Sequence, residues 1–130
     1  MEIILKKKVI INQEDIDDIM CTALEGGICY WCKHAESTIN DETWRKENNV
    51  HWLHEVISRG GEIILTDVDN VKYKLTLHHF FTGLQQLIDE SEEYYIEQTK
   101  DGYVLDTSEI DADIADLIIQ YAIFGELVFC

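Results

Sequence analysis

The sequence predicts an α+β fold in which a small antiparallel sheet is packed on one side by three to four helices, and three observations lead there. Apolar residues recur with helical periodicity in 13–25, 76–93 and 109–124. Two β-rich runs, 62–67 and 71–76, flank Val68, Asp69 and Asn70 at hairpin spacing. The chain of 130 residues, 46% of them hydrophobic, suffices for one core, so residues 1–130 are expected to form a single domain with a polar insertion at about 35–49.

Taken in order, residues 2–11 alternate in the manner of a strand, with Lys6, Lys7 and Lys8 as a solvated, edge-protecting run. The first helix is the best marked element. Asn12 can cap it, and Asp15 three positions on completes a variant of the capping box. Ile16, Ile19, Met20, Ala23 and Leu24 share one face, while Asp15, Asp18, Thr22 and Glu25 take the other. Gly26 and Gly27 are expected to stop the helix in a left-handed cap. Residues 28–32 then resume as a short helix or a buried strand.

The insertion carries Trp44, the aromatic residue hardest to explain as core. A helix is expected over 50–58, with Val50, Leu53, Val56 and Ile57 inward and Gly60 ending it. After the hairpin, Thr76 caps a helix that puts Phe80, Phe81, Leu84, Leu87 and Ile88 on one face. Lys100, Asp101 and Gly102 make a turn into a short strand at 103–105. Asp106 or Ser108 caps the last helix, which turns Ile110, Ile114, Leu117, Ile118, Tyr121 and Ala122 inward and ends at Gly125.

Twenty-six acids against ten bases give a formal charge of −16. Such a field repels nucleic acid and anionic membranes, whose binding rests on basic side chains, so the expected partner is basic. Acids cluster at the starts of the first and last helices, where the helix dipole favours each by about 0.3–1 kcal/mol. The plain alternative is that the charge serves solubility. No run of about 18 apolar residues occurs and the N-terminal segment does not read as a signal peptide, so a cytoplasmic location is expected.

Motifs for chemistry are sparse. Cys29, Cys32 and His34 have zinc-like spacing but lack an obvious fourth ligand, and buried thiols explain them equally simply. The thioredoxin-like context for a redox pair is missing. Neither a P-loop, a dinucleotide fingerprint nor a nucleophile motif is present, so no catalytic residue or cofactor is assigned and a non-enzyme is expected. Tyr30, Trp31, Trp44, Trp52 and Tyr73 can line a pocket, an interface or the core.

Several segments carry a resemblance: Glu14-Asp15-Ile16-Asp17-Asp18-Ile19-Met20, Thr22-Ala23-Leu24-Glu25-Gly26-Gly27-Ile28, Tyr30-Trp31-Cys32, Ile57-Ser58-Arg59-Gly60-Gly61, Asp111-Ala112-Asp113-Ile114-Ala115-Asp116 and Ile118-Ile119-Gln120-Tyr121-Ala122-Ile123-Phe124-Gly125-Glu126. Together they resemble a family of small acidic proteins of phages and prophages of Gram-positive bacteria. The resemblance implies a phage-encoded accessory protein that inhibits a host defence component, such as a CRISPR effector, by binding it in the bacterial cytoplasm. Asp15, Asp18, Asp111, Asp113 and Asp116 are then the expected contacts, standing in for phosphates, with Trp44 beside them. A second reading is a small-ligand binder, such as a sponge for a signalling nucleotide, at Tyr30, Trp31, Arg59, Gly60 and Gly61. A third is a structural or replication accessory protein of the phage.

Overall fold

The structure, a computed structural model, describes residues 1–3, 8–91 and 94–130. Among these, four α-helices combine with two three-stranded sheets, and the α+β class holds. The sheet strands, expected as one set, divide into two. β2 (Cys32–Ser37), β3 (Ile63–Asp67) and β4 (Lys72–Leu75) form an antiparallel sheet with β3 in the middle. In the other, β1 (Val9–Ile10) runs parallel to β6 (Gly102–Leu105), which pairs antiparallel with β5 (Ile96–Thr99). Of the strand expected over 2–11, Val9–Ile10 forms β1, and residues 4–7, including Lys6 and Lys7, lie outside the described residues.

Local rules set the elements that sequence reads best. Asn12 Oδ1 accepts from the Asp15 amide at 2.9 Å and Asp15 Oδ2 accepts from the Asn12 amide at 3.1 Å, starting α1 (Gln13–Thr22). The hairpin forms as spaced, with Leu65 opposite Tyr73. Its turn is tied by Asp67 Oδ1, which accepts from the Asp69 and Val71 amides, while Asn70 takes the left-handed conformation asparagine tolerates. Thr76 caps α3 (Leu77–Glu90) through the His79 amide. Gly125, at φ 73°, ends α4 (Ala112–Phe124).

Elsewhere distant partners override local signals. Gly26 and Gly27 do not end the first helix in a left-handed cap; the chain continues through a π-turn, Ala23–Gly27. Gly27 is needed for a close approach instead. A Cβ there would lie 2.5 Å from the Ala112 carbonyl oxygen of α4, and one on Gly83 of α3 would lie 2.5 Å from that of Ile118. The two glycines let α4 sit between α3 and the π-turn, burying Ala115, Ile118 and Ile119 fully. α4 itself starts at Asp111, whose Oδ1 accepts from the Ile114 amide; Asp106 caps the preceding 3-10 turn, Thr107–Glu109.

Within the polar insertion, the first residues complete β2 and α2 (Glu42–Glu47) follows. Trp44 is half-buried, and its ring lies over Gly61, where a Cβ would come within 2.9 Å of Cη2. The helix expected over 50–58 is reduced to a 3-10 turn, Leu53–Glu55, with further turns. Glu55 Oε1 accepts from the amides of His51 at 2.7 Å and Trp52 at 2.9 Å, anchoring this tighter geometry. Val50, Val56 and Ile57 still point inward. No helix among the described residues is long and apolar enough to cross a membrane.

Candidate functional site

Asp116 organises the contact between α4 and the segment after the π-turn. Expected as an exposed contact residue, it is 6% exposed. Trp31 Nε1 donates to its Oδ1 at 2.7 Å, Gln120 Nε2 donates to the same oxygen at 3.0 Å, and the Tyr30 hydroxyl donates to Oδ2 at 2.6 Å. Asp116 and Gln120 are one helical turn apart and share a face, which brings both to the same aromatic pair. A buried carboxylate must find donors, and here the three found are all neutral.

The cluster continues into the C-terminal segment. Gln120 Oε1 accepts from the Val128 and Phe129 amides, each at 2.8 Å, and its amide nitrogen donates to the Phe129 carbonyl at 3.1 Å. Phe129 stacks on Trp31 with ring centroids 5.0 Å apart. Beside this strap lies a groove of about 410 Å³ formed by Tyr30, Ile114, Leu117, Leu127 and Phe129, with Asp113 on its wall and Asp116 within it. Tyr30 is 51% exposed although its hydroxyl is engaged, and burial followed by the Asp116 hydrogen bond pushes that hydroxyl up to about 12.

α1, α3 and α4 contain neither lysine nor arginine. Asp18 on α1, Glu25 on the π-turn, Glu109 before α4, and Asp111 and Asp113 at its start are all exposed, and these elements pack against one another. Lys33, Lys72 and Lys74 lie on β2 and β4, and Arg45 and Lys46 on α2. Of the five expected contact carboxylates, Asp18, Asp111 and Asp113 are exposed, Asp15 is half-buried in its capping box, and Asp116 is internal.

The residues expected to form the alternative ligand site are engaged with other partners. Arg59 Nη1 lies 2.5 Å from Asp17 Oδ2 and Nη2 lies 3.5 Å from Glu55 Oε2, so its guanidinium is tied up in a half-buried ion-pair set. Burial pushes the Glu55 carboxyl up, but the His51 and Trp52 amides and the Arg59 guanidinium together hold it below its ordinary value. Tyr30 and Trp31 face Asp116 rather than Arg59, while Gly60 is left-handed and Gly61 lies under Trp44. Tyr73 donates to Asp67 at 2.8 Å.

The zinc candidate is likewise dispersed. Cys32 is buried at the start of β2, where burial pushes its thiol up, and its Sγ lies 3.3 Å from the His34 carbonyl. Cys29 is exposed with Sγ 3.5 Å from the Leu24 carbonyl, and the His34 ring lies 3.6 Å from Glu36. Among the described residues no three histidine, cysteine, aspartate or glutamate side chains are grouped to hold a metal ion.

Sequence reasoning missed Gln120 and Phe129. The available signal was the Asp116 to Gln120 spacing inside an otherwise apolar helix. Compared with models of known protein families, with curated proteins and with solved structures, the chain matches none.

Proposed function

We propose that the chain is a non-enzymatic binding protein whose acidic helical layer occupies a cationic surface of a nucleic-acid-handling protein. The observation that carries this reading is the absence of lysine and arginine from α1, α3 and α4, beside exposed Asp18, Glu25, Glu109, Asp111 and Asp113 on adjoining elements. A surface of one sign keeps its field where mixed charges would cancel, and steers a basic partner into contact. The groove beside Tyr30 adds apolar area, on which the aliphatic stem of a partner's lysine or arginine packs while its head meets Asp113.

The resemblance to small acidic phage proteins extends the proposal to a phage-encoded inhibitor of a bacterial defence system, such as a CRISPR effector, acting in the host cytoplasm. The test is capture of bound proteins from a bacterial lysate at low salt, followed by competition with duplex DNA. The proposal expects nucleic-acid-binding proteins that DNA displaces from the chain. Capture of proteins that DNA leaves in place would overturn it.

A further inference from the structure

The acidic layer leaves a feature of opposite sign unexplained. Between the end of α2 and the segment that follows lies a groove of about 470 Å³ lined by Glu42, Arg45, Lys46, Asn49, Val50 and His51. In a chain of net charge −16, this groove carries two cations, Arg45 and Lys46, against one carboxylate, Glu42, with the His51 imidazole beside them. We propose that this groove binds the phosphate group of a small phosphorylated molecule, independently of the acidic layer.

Arg45 and His51 are held in place by hydrogen bonds, while Lys46 is exposed beside them. Arg45 Nη2 donates to the His51 carbonyl at 3.3 Å, which fixes the guanidinium along the wall and leaves its remaining N–H groups to form the fork that suits phosphate oxygens. The Val50 amide donates to the Arg45 carbonyl at 2.8 Å, closing the loop beneath it. Asn49 adopts φ 55°, a left-handed conformation, and its Oδ1 lies 3.1 Å from His51 Nε2, setting the direction of the imidazole. The His51 amide is held in turn by Glu55. Lys46 is exposed, and neither it nor Arg45 has a salt-bridge partner among the described residues.

Repulsion from the rest of the molecule does not forbid an anion here. At physiological ionic strength the field of distant surface carboxylates is screened beyond about 8 Å, so the groups lining the groove, together with the Glu55 carboxylate that holds the His51 amide, decide.

The experiment is an amide NMR titration of the full chain with inorganic phosphate, with AMP and with adenosine, at constant ionic strength held with chloride. Saturable shifts at Arg45, Asn49, Val50 and His51 are expected with phosphate and AMP but not with adenosine. Loss of a charge-assisted hydrogen bond in Arg45→Gln should weaken both phosphate-bearing probes about tenfold. Lys46→Gln, which breaks no intramolecular bond, should weaken them too while leaving the spectrum otherwise unchanged. Shifts that fail to saturate, an equal response to adenosine, or indifference to both substitutions would overturn the proposal. None of these results bears on capture of a basic protein by the helical layer.

Discussion

The Tyr30 hydroxyl meets the Asp116 carboxylate at 2.6 Å across 86 residues of sequence, joining the turn after the first helix to the centre of α4. Asp116→Ala strands the Trp31 N–H and frees the Gln120 amide, and should cost about 3–5 kcal/mol. Tyr30→Phe removes one donor and leaves Trp31 and Gln120 in place, and should cost about 1–2 kcal/mol. Urea unfolding of the two variants checks the order.

The same contact predicts alkaline sensitivity. Tyr30, through burial and Asp116, and Tyr121, through its 2.6 Å bond to Glu90 and burial, are both pushed up to about 12 from an ordinary value of 10.0. A phenol that ionises later in the folded than in the unfolded state contributes stability that is complete below the unfolded value. That contribution is lost as the pH rises from about 10 towards 12. Tyr30→Phe should flatten this decline in a pH series of denaturant midpoints.

Gly83 and Gly26 should respond oppositely to alanine. A Cβ at Gly83 would lie 2.5 Å from the Ile118 carbonyl oxygen and 2.6 Å from the Ala122 nitrogen, so Gly83→Ala should destabilise by about 1–3 kcal/mol or more. At Gly26 nothing lies within 4 Å and φ is not positive, so Gly26→Ala should be neutral or stabilise by about 0.5–1 kcal/mol. Thermal unfolding of the pair is the check.

Arg59 is predicted to be structural. Its side chain is 11% exposed and that of Asp17 is 17% exposed, so Arg59→Ala should cost about 3 kcal/mol by leaving carboxylates unpaired. Removing Asp17 as well should cost less than the two single changes added together. Since the Glu55 carboxyl is held below its ordinary value, its contribution is present at neutral pH and is lost as the pH falls through the acidic range. Stability curves of the single and double variants at neutral and acidic pH test both statements.

What the sequence made legible was local. The Asn12 to Asp15 box, the Thr76 cap, the hairpin around Asp69 and Asn70 and the Gly125 stop each depend on residues within a few positions, and each formed. Gly27 misled because its role is set by Ala112, far along the chain, rather than by its own turn. Asp116 misled because its position among helix-start acids matches an exposed carboxylate, while two of its three donors, Tyr30 and Trp31, come from the other end of the chain. Two sheets arose where one was expected because β1 pairs with β6, a relation no local pattern encodes. The acidity itself was visible, but its separation from the lysines of β2 and β4 required the fold.

Binding should depend on where the charge lies, not on how much there is. Two triple variants of equal net charge separate these: Asp18→Lys, Glu25→Lys and Asp113→Lys on the helical layer, against Glu36→Lys, Glu47→Lys and Asp69→Lys, exposed positions on or beside β2, α2 and the hairpin. Affinity for the captured basic partner, measured for both at the same ionic strength, is the most direct test. The first variant should lose binding and the second keep it; equal losses would leave net charge as the only determinant and overturn the acidic-layer proposal.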